Sequence, residues 1–105
     1  MRHKLKAIAE RFGYDSQSRQ LIEEMAELTQ AINKFWRKRA GKELIPNNTQ
    51  ELLIMPEYHQ ISSEIADVYI MLWQVRYLLH IDDSELLRDV DYKLDRTIKR
   101  MHDHD

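Results

Sequence analysis

The sequence predicts an all-α protein, an antiparallel helical bundle formed as a single domain over residues 1–105. Apolar residues recur every three to four positions, which is the period of a helix buried along one face. No segment of any length alternates as a strand would, and only two glycines and two prolines interrupt the chain. Because the connections are short, antiparallel neighbours in a bundle are the natural arrangement.

Breakers and capping residues divide the chain into four expected helices. Gly13 stops a short first helix, and Ser16 or Ser18 can cap the second. Pro56 suits the first turn of the third helix, and Asp82 is the expected cap of the fourth. The expected ranges are about 4–12, from 16 or 18 to 40, 56–79 and 83–101.

The segment 41–55 is the irregular part of the chain, marked by a Pro-Asn-Asn sequence. One extra helical turn is expected at Leu52 and Leu53, capped by Asn48 and Glu51. The segment either covers a neighbouring site or only extends the surface. The HDHD sequence at the end of the chain is expected to fray.

Each long helix carries an apolar stripe, but three such stripes make a thin core in a chain of 105 residues. We therefore expect dimerisation, in which a partner buries part of the second and third helices. The stripe residues are Leu21, Met25, Leu28, Ile32 and Phe35 or Trp36 in the second helix, Ile61, Ile65, Val68, Leu72, Val75 and Leu79 in the third, and Leu86, Val90, Leu94, Ile98 and Met101 in the fourth.

The composition excludes several classes of protein. A net charge of −2 does not indicate the excess of basic residues that is typical of a nucleic-acid-binding protein. The lack of cysteine excludes disulfides, thiolate metal sites and cysteine nucleophiles. No segment is apolar for long enough to act as a signal peptide or to span a bilayer. We therefore expect a cytoplasmic protein with neither a nucleic acid nor a membrane as partner.

Two stretches match when one is moved along the other by 40 residues: QLIEEMAEL from Gln20 and QISSEIADV from Gln60. Each carries two acids three residues apart, which are neighbours on one face of a helix. If the helices pack side by side, four carboxylates converge, and such a cluster normally implies bound cations. Carboxylates alone select hard cations such as Mg²⁺ or Mn²⁺. The alternative is two solvated acidic faces. The acids are Glu24, Glu27, Glu64 and Asp67.

The two acidic motifs, EEMAEL at 23–28 and EIADV at 64–68, closely resemble the paired ExxE and ExxD motifs of the MazG-like, all-α nucleoside triphosphate pyrophosphohydrolases. The segments AINKFWRK, YIMLWQV and YKLDRTIKRM agree, so the resemblance runs from about Gln17 to Met101. It implies an enzyme that cleaves an NTP or dNTP into the monophosphate and pyrophosphate, as housecleaning of the nucleotide pool. It also implies an intertwined dimer or tetramer.

The resemblance further implies that the four acids of the motifs bind Mg²⁺, with Mn²⁺ as its substitute. The implied metal ligands are Glu24, Glu27, Glu64 and Asp67. Glu24 is thereby also a catalytic residue, and Glu23, directly before it, is expected to orient or deprotonate the attacking water.

Substrate contacts are expected from two sets of residues. Lys93, Arg96 and Arg100 share one face of the fourth helix and are the expected phosphate contacts, with a solvated basic face as the alternative. Phe35 and Met71 lie on the same side of their helices as the acids. These two are the expected contacts of the base, and packing in a core or interface is the alternative.

Two other functions stay open. In a helical dimerisation or adaptor module, the acids would be solvated or would pair with Lys34 or Arg76. A degenerate family member would bind nucleotides without turnover, because Asp95 and Thr97 stand where the family often carries an asparagine. The basic cluster of Lys34, Arg37, Lys38 and Arg39 is expected to be a solvated helix end.

Overall fold

The computed structural model describes residues 1–39 and 52–104, and all three of the elements in this part of the chain are α-helices. Helix α1 spans Arg2–Lys38, α2 spans Pro56–Leu78 and α3 spans Asp83–Asp103. The predicted all-α class is therefore confirmed. Within the described residues, none of the helices has the length and apolar character needed to cross a bilayer.

The predicted first and second helices form one element, α1, which is kinked at Gly13. The φ and ψ of Gly13 are 82° and 171°, a backbone conformation that residues with a side chain rarely adopt. The expected serine caps are wrong. The Ser18 hydroxyl donates to the Asp15 carbonyl at 3.2 Å, and the Ser16 hydroxyl donates to the Gln17 side chain at 3.2 Å. Helical structure thus resumes directly after the kink.

The other predicted boundaries agree with the structure to within a few residues. Pro56 occupies the first turn of α2, and the helical turn at Leu52 and Leu53 is present. Asp82 precedes α3 but makes no side-chain capping bond, and α3 continues to Asp103, two residues into the tail that was expected to fray. The predicted caps Asn48 and Glu51, and the loop from 41, lie outside the described residues.

Helices α1 and α2 pack against each other as an antiparallel hairpin. The Tyr77 hydroxyl donates to Glu10, and Gln17 Nε2 donates to Gln74 Oε1 at 2.6 Å, so residue numbers fall along α2 as they rise along α1. Gln74 is only 1% exposed and Gln17 is 7% exposed. A side-chain hydrogen bond between two amides therefore lies inside the interface between the helices.

The helix–helix contact includes only part of each predicted apolar stripe. Phe35 and Val68 are buried as expected, and the other buried apolar residues are Ala9, Ala31 and Met71. The contact is rotated toward the side that carries the acids, where the small Ala31 leaves room for close approach. Exposed on the other side are the stripe residues Met25, Ile32, Ile65, Leu72 and Leu79.

Helix α3 packs against neither α1 nor α2, so the predicted bundle is wrong for a single chain. Its start is tied to the hairpin by Asp83, whose carboxylate lies 3.3 Å from Arg76 and 3.6 Å from Arg2. Every described residue of α3 is exposed, including its whole apolar stripe. The radius of gyration is accordingly 17.4 Å, whereas a compact chain of this length has a radius of about 13 Å.

Candidate metal site

Three carboxylates from the two helices of the hairpin meet at its middle. Glu24 and Glu27 stand one turn apart on α1, and Glu64 reaches them from α2, so that one oxygen of each lies within 4.8 Å of the others. We call these three residues the acidic trio. Carboxylate oxygens at this spacing could coordinate a single hard cation.

The acids meet because two copies of one motif pack antiparallel. Such a pairing has an approximate two-fold axis between the copies, which places the acids of one motif against those of the other. Glu27 and Glu64 approach each other in this way. Asp67, the fourth predicted ligand, is not part of the trio, but its charge contributes to the raised pKa of Glu27.

The electrostatics of the trio are those of uncompensated negative charge. The pKa of Glu27 is raised above its ordinary value of 4.5, first by the charge of Glu24 and then by that of Glu64, with smaller contributions from burial, from a hydrogen bond with Glu24 and from Asp67. Gln20 Nε2 donates to Glu24 Oε1 at 2.8 Å. The other oxygen of Glu24 and one of Glu64 are buried without a hydrogen-bond partner. Such oxygens fit a cation, which would restore their lost solvation.

The raised pKa of Glu27 predicts a pH dependence of stability in the metal-free protein. The unfolded chain releases this proton near pH 4.5 and the folded chain at a higher pH, so ionised Glu27 destabilises the fold at neutral pH. We expect the melting temperature, measured in a chelator, to gain a contribution from Glu27 as pH falls through its folded-state pKa toward 4.5. Glu27→Gln should remove this contribution; identical pH profiles for the two proteins would contradict the prediction.

A polar groove of about 500 Å³ adjoins the trio on the same side of the hairpin. Glu27 and Glu64 line it together with Lys34 and Arg37, two members of the cluster that was expected to be only a solvated helix end. Three amide side chains complete most of its wall. These are Gln30, Asn33 and Gln60.

Four of the other predicted site residues are not part of the trio. Glu23 is exposed on α1 and does not belong to it. Lys93, Arg96 and Arg100 are exposed on α3, which does not pack against the hairpin, and the Arg96 guanidinium lies 5.9 Å from the centre of the Tyr92 ring. Within one chain, the expected phosphate contacts and the acids are not brought together.

The two predicted base contacts are core residues. Phe35 is 8% exposed and Met71 is 6% exposed, so both pack between α1 and α2 and offer a ligand almost no surface. Sequence reasoning missed Gln20, which holds Glu24, and undervalued Lys34 and Arg37. The spacing contained a signal for Lys34, because it follows Glu27 by seven residues and thus shares its face of the helix.

Comparison of the chain with protein-family models, with curated proteins and with solved structures finds no match.

Proposed function

We propose that the protein is a Mg²⁺-dependent nucleoside triphosphate pyrophosphohydrolase of the MazG-like kind, which converts an NTP or dNTP into the monophosphate and pyrophosphate. The observation that carries the proposal is the acidic trio, whose buried oxygens lack partners and whose charges raise the pKa of Glu27. Carboxylates without histidine or cysteine suit Mg²⁺ or Mn²⁺. Cations held in this way commonly serve phosphate substrates.

The acids and their neighbours would have separate roles in this reaction. Glu24, Glu27 and Glu64 hold the metal, with Asp67 close enough for its charge to be felt by Glu27. Bound Mg²⁺ supplies neutralisation of phosphate charge and orientation of the reacting oxygens. Gln20 fixes the rotamer of Glu24 through its hydrogen bond. Glu23 orients the attacking water or takes its proton.

The proposal includes a homodimer or homotetramer. The chain exposes 8799 Å², whereas a compact monomer of 12.7 kDa exposes about 6,200 Å². The excess, about 2,600 Å² per chain, is of the size that large obligate interfaces remove. The apolar stripe of α3 and the exposed half of the hairpin stripe are the surfaces that a partner would cover. Assembly is also the route by which the cations of α3 would reach an acidic trio.

The proposed activity is tested by measuring pyrophosphate release from a panel of NTPs and dNTPs, with Mg²⁺, with Mn²⁺ and with a chelator. We expect metal-dependent release from at least one nucleotide, with no release in the chelator. Release of inorganic phosphate instead would contradict the position of the cleaved bond. If no nucleotide releases pyrophosphate and Mg²⁺ leaves the melting temperature unchanged, the protein has no metal site at the acidic trio.

The exposed stripe of α3 also supports a second candidate, a helical dimerisation or adaptor module without catalysis. In one form of that module, the acids of the trio would pair with Lys34 or Arg76. The described residues do not support this form, because Arg76 pairs with Asp83 and the other ion pair, between Arg2 and Asp83, does not involve the trio either. Melting with and without Mg²⁺ separates the module from a metal enzyme. Nucleotide binding without turnover would instead indicate the degenerate family member suggested by Asp95 and Thr97.

A further inference from the structure

The polar groove contains separated charges of both signs. Glu27 and Glu64 lie at one end, and Lys34 follows Glu27 on the same face of α1 by seven residues, about 10.5 Å along the helix axis. Arg37 lies almost one turn farther on. The buried Ala31 stands between the acids and the cations and leaves the groove open between them.

These charges do not neutralise one another. Within residues 1–39 and 52–104, no carboxylate oxygen lies within 4.0 Å of the Lys34 or Arg37 side-chain nitrogens. In the same residues, no lysine, arginine or histidine nitrogen lies within 4.0 Å of an oxygen of the acidic trio. A ligand that carries a divalent cation at one end and negative charge at the other would compensate both ends at once. A magnesium polyphosphate has this charge distribution, and Lys and Arg are the usual phosphate-binding side chains.

We infer that the polar groove binds a polyphosphate chain, with Lys34 and Arg37 as its phosphate contacts beside the metal held by the acidic trio. The inference rests on the proposed function for the identity of the cation. Lys34 and Arg37 stand in the same groove as the acids within one chain, whereas the cations of α3 do not.

The composition of the groove distinguishes a polyphosphate from other occupants. Of the lining residues that the structure describes, only Ala31 is apolar, so an apolar helix or a lipid chain would bury little hydrophobic surface there. The volume of about 500 Å³ lies in the ordinary range of small-molecule sites. The amide side chains add donors and acceptors for the polar remainder of a nucleotide.

The test is the binding of inorganic tripolyphosphate to the full chain in the presence of Mg²⁺, measured by titration calorimetry. Lys34→Ala and Arg37→Ala are compared with Lys38→Ala, which removes the same charge from the same helix at an exposed position that does not line the groove. Each groove variant should bind about tenfold more weakly, since each loses a charge-assisted hydrogen bond. Lys38→Ala should stay within about twofold of the wild type. All three side chains are exposed, so matching circular dichroism spectra and melting curves are expected.

The outcomes separate this inference from the proposed function. Three outcomes would each overturn the inference. The wild type and both groove variants could bind tripolyphosphate equally, Lys34→Ala and Lys38→Ala could lose the same affinity, or the wild type could fail to bind. Nucleotide turnover whose KM does not respond to Lys34→Ala or Arg37→Ala would overturn the inference and leave the enzyme standing. The protein could instead bind tripolyphosphate in a way that depends on Lys34 but release pyrophosphate from no nucleotide. This result would support the polyphosphate site in the groove and refute the proposed enzymatic activity.

Discussion

Glu64→Gln is expected to reduce Mg²⁺-dependent pyrophosphate release by about 100-fold or more, because even groups one step removed from a metal change affinity or activity by about 10–100-fold. Glutamine keeps the size of the side chain and removes only its charge. In the metal-free protein the same change should raise the melting temperature, because it relieves the repulsion that raises the pKa of Glu27. The variant should therefore be more stable and less active.

The opposite signs of these two effects make the prediction specific to a charge cluster that binds metal. Melting curves with a chelator and with Mg²⁺ should show a metal-induced rise for the wild type that is lost in Glu64→Gln. Asp89→Asn is the matched control, since it removes one negative charge from an exposed position on α3. Equal loss of activity in both variants, or an unchanged response to Mg²⁺ in Glu64→Gln, would contradict a metal-binding role for Glu64.

Leu94→Asp is expected to abolish assembly. Leu94 stands in the middle of the apolar stripe of α3 and is 56% exposed in the single chain. A carboxylate at this position would have to be desolvated in any interface that covers the stripe, at a cost of about 3 kcal/mol or more, which weakens association at least about 100-fold. Light scattering after size exclusion should give the mass of a multimer for the wild type and of one chain for the variant.

The control for assembly is Tyr92→Asp. Tyr92 is 66% exposed and lies roughly opposite the stripe of α3, two residues from Leu94. The control should keep the wild-type mass, because its carboxylate stays in water. A wild-type chain that elutes as a monomer at all accessible concentrations would contradict the proposed assembly, whatever the variants do.

Much of the fold was predictable because single residues control local structure. Gly13 alone marks the kink of α1, since its positive φ is unfavourable for other residues, and Pro56 marks the start of α2. The meeting of Glu27 and Glu64 was predictable as well. Two similar motifs on antiparallel neighbours can face each other, and the motif itself is visible in the sequence.

The contact surfaces were not predictable in the same way. Periodicity identifies the apolar side of a helix, but it does not say which part of that side meets the same chain. Of the two alternatives for Phe35 and Met71, burial in the single chain favours core packing over contact with a base, and α3 does not join the hairpin in a bundle within one chain. Lys34 was undervalued because its importance depends on Ala31, whose small size opens the groove only after α2 is in place.

The buried amide pair determines which acids can face each other. A hairpin of two apolar stripes can slide by a helical turn with little loss, because apolar contacts are not directional. Gln17 and Gln74 resist that shift, since a displacement of about 5.4 Å would break their 2.6 Å hydrogen bond and leave Gln17 Nε2 and Gln74 Oε1 without this partner in the interface. Each unpaired group would cost about 1–3 kcal/mol. The register of the hairpin, and with it the spacing between Glu27 and Glu64, is thus fixed by residues ten positions away from them along each helix.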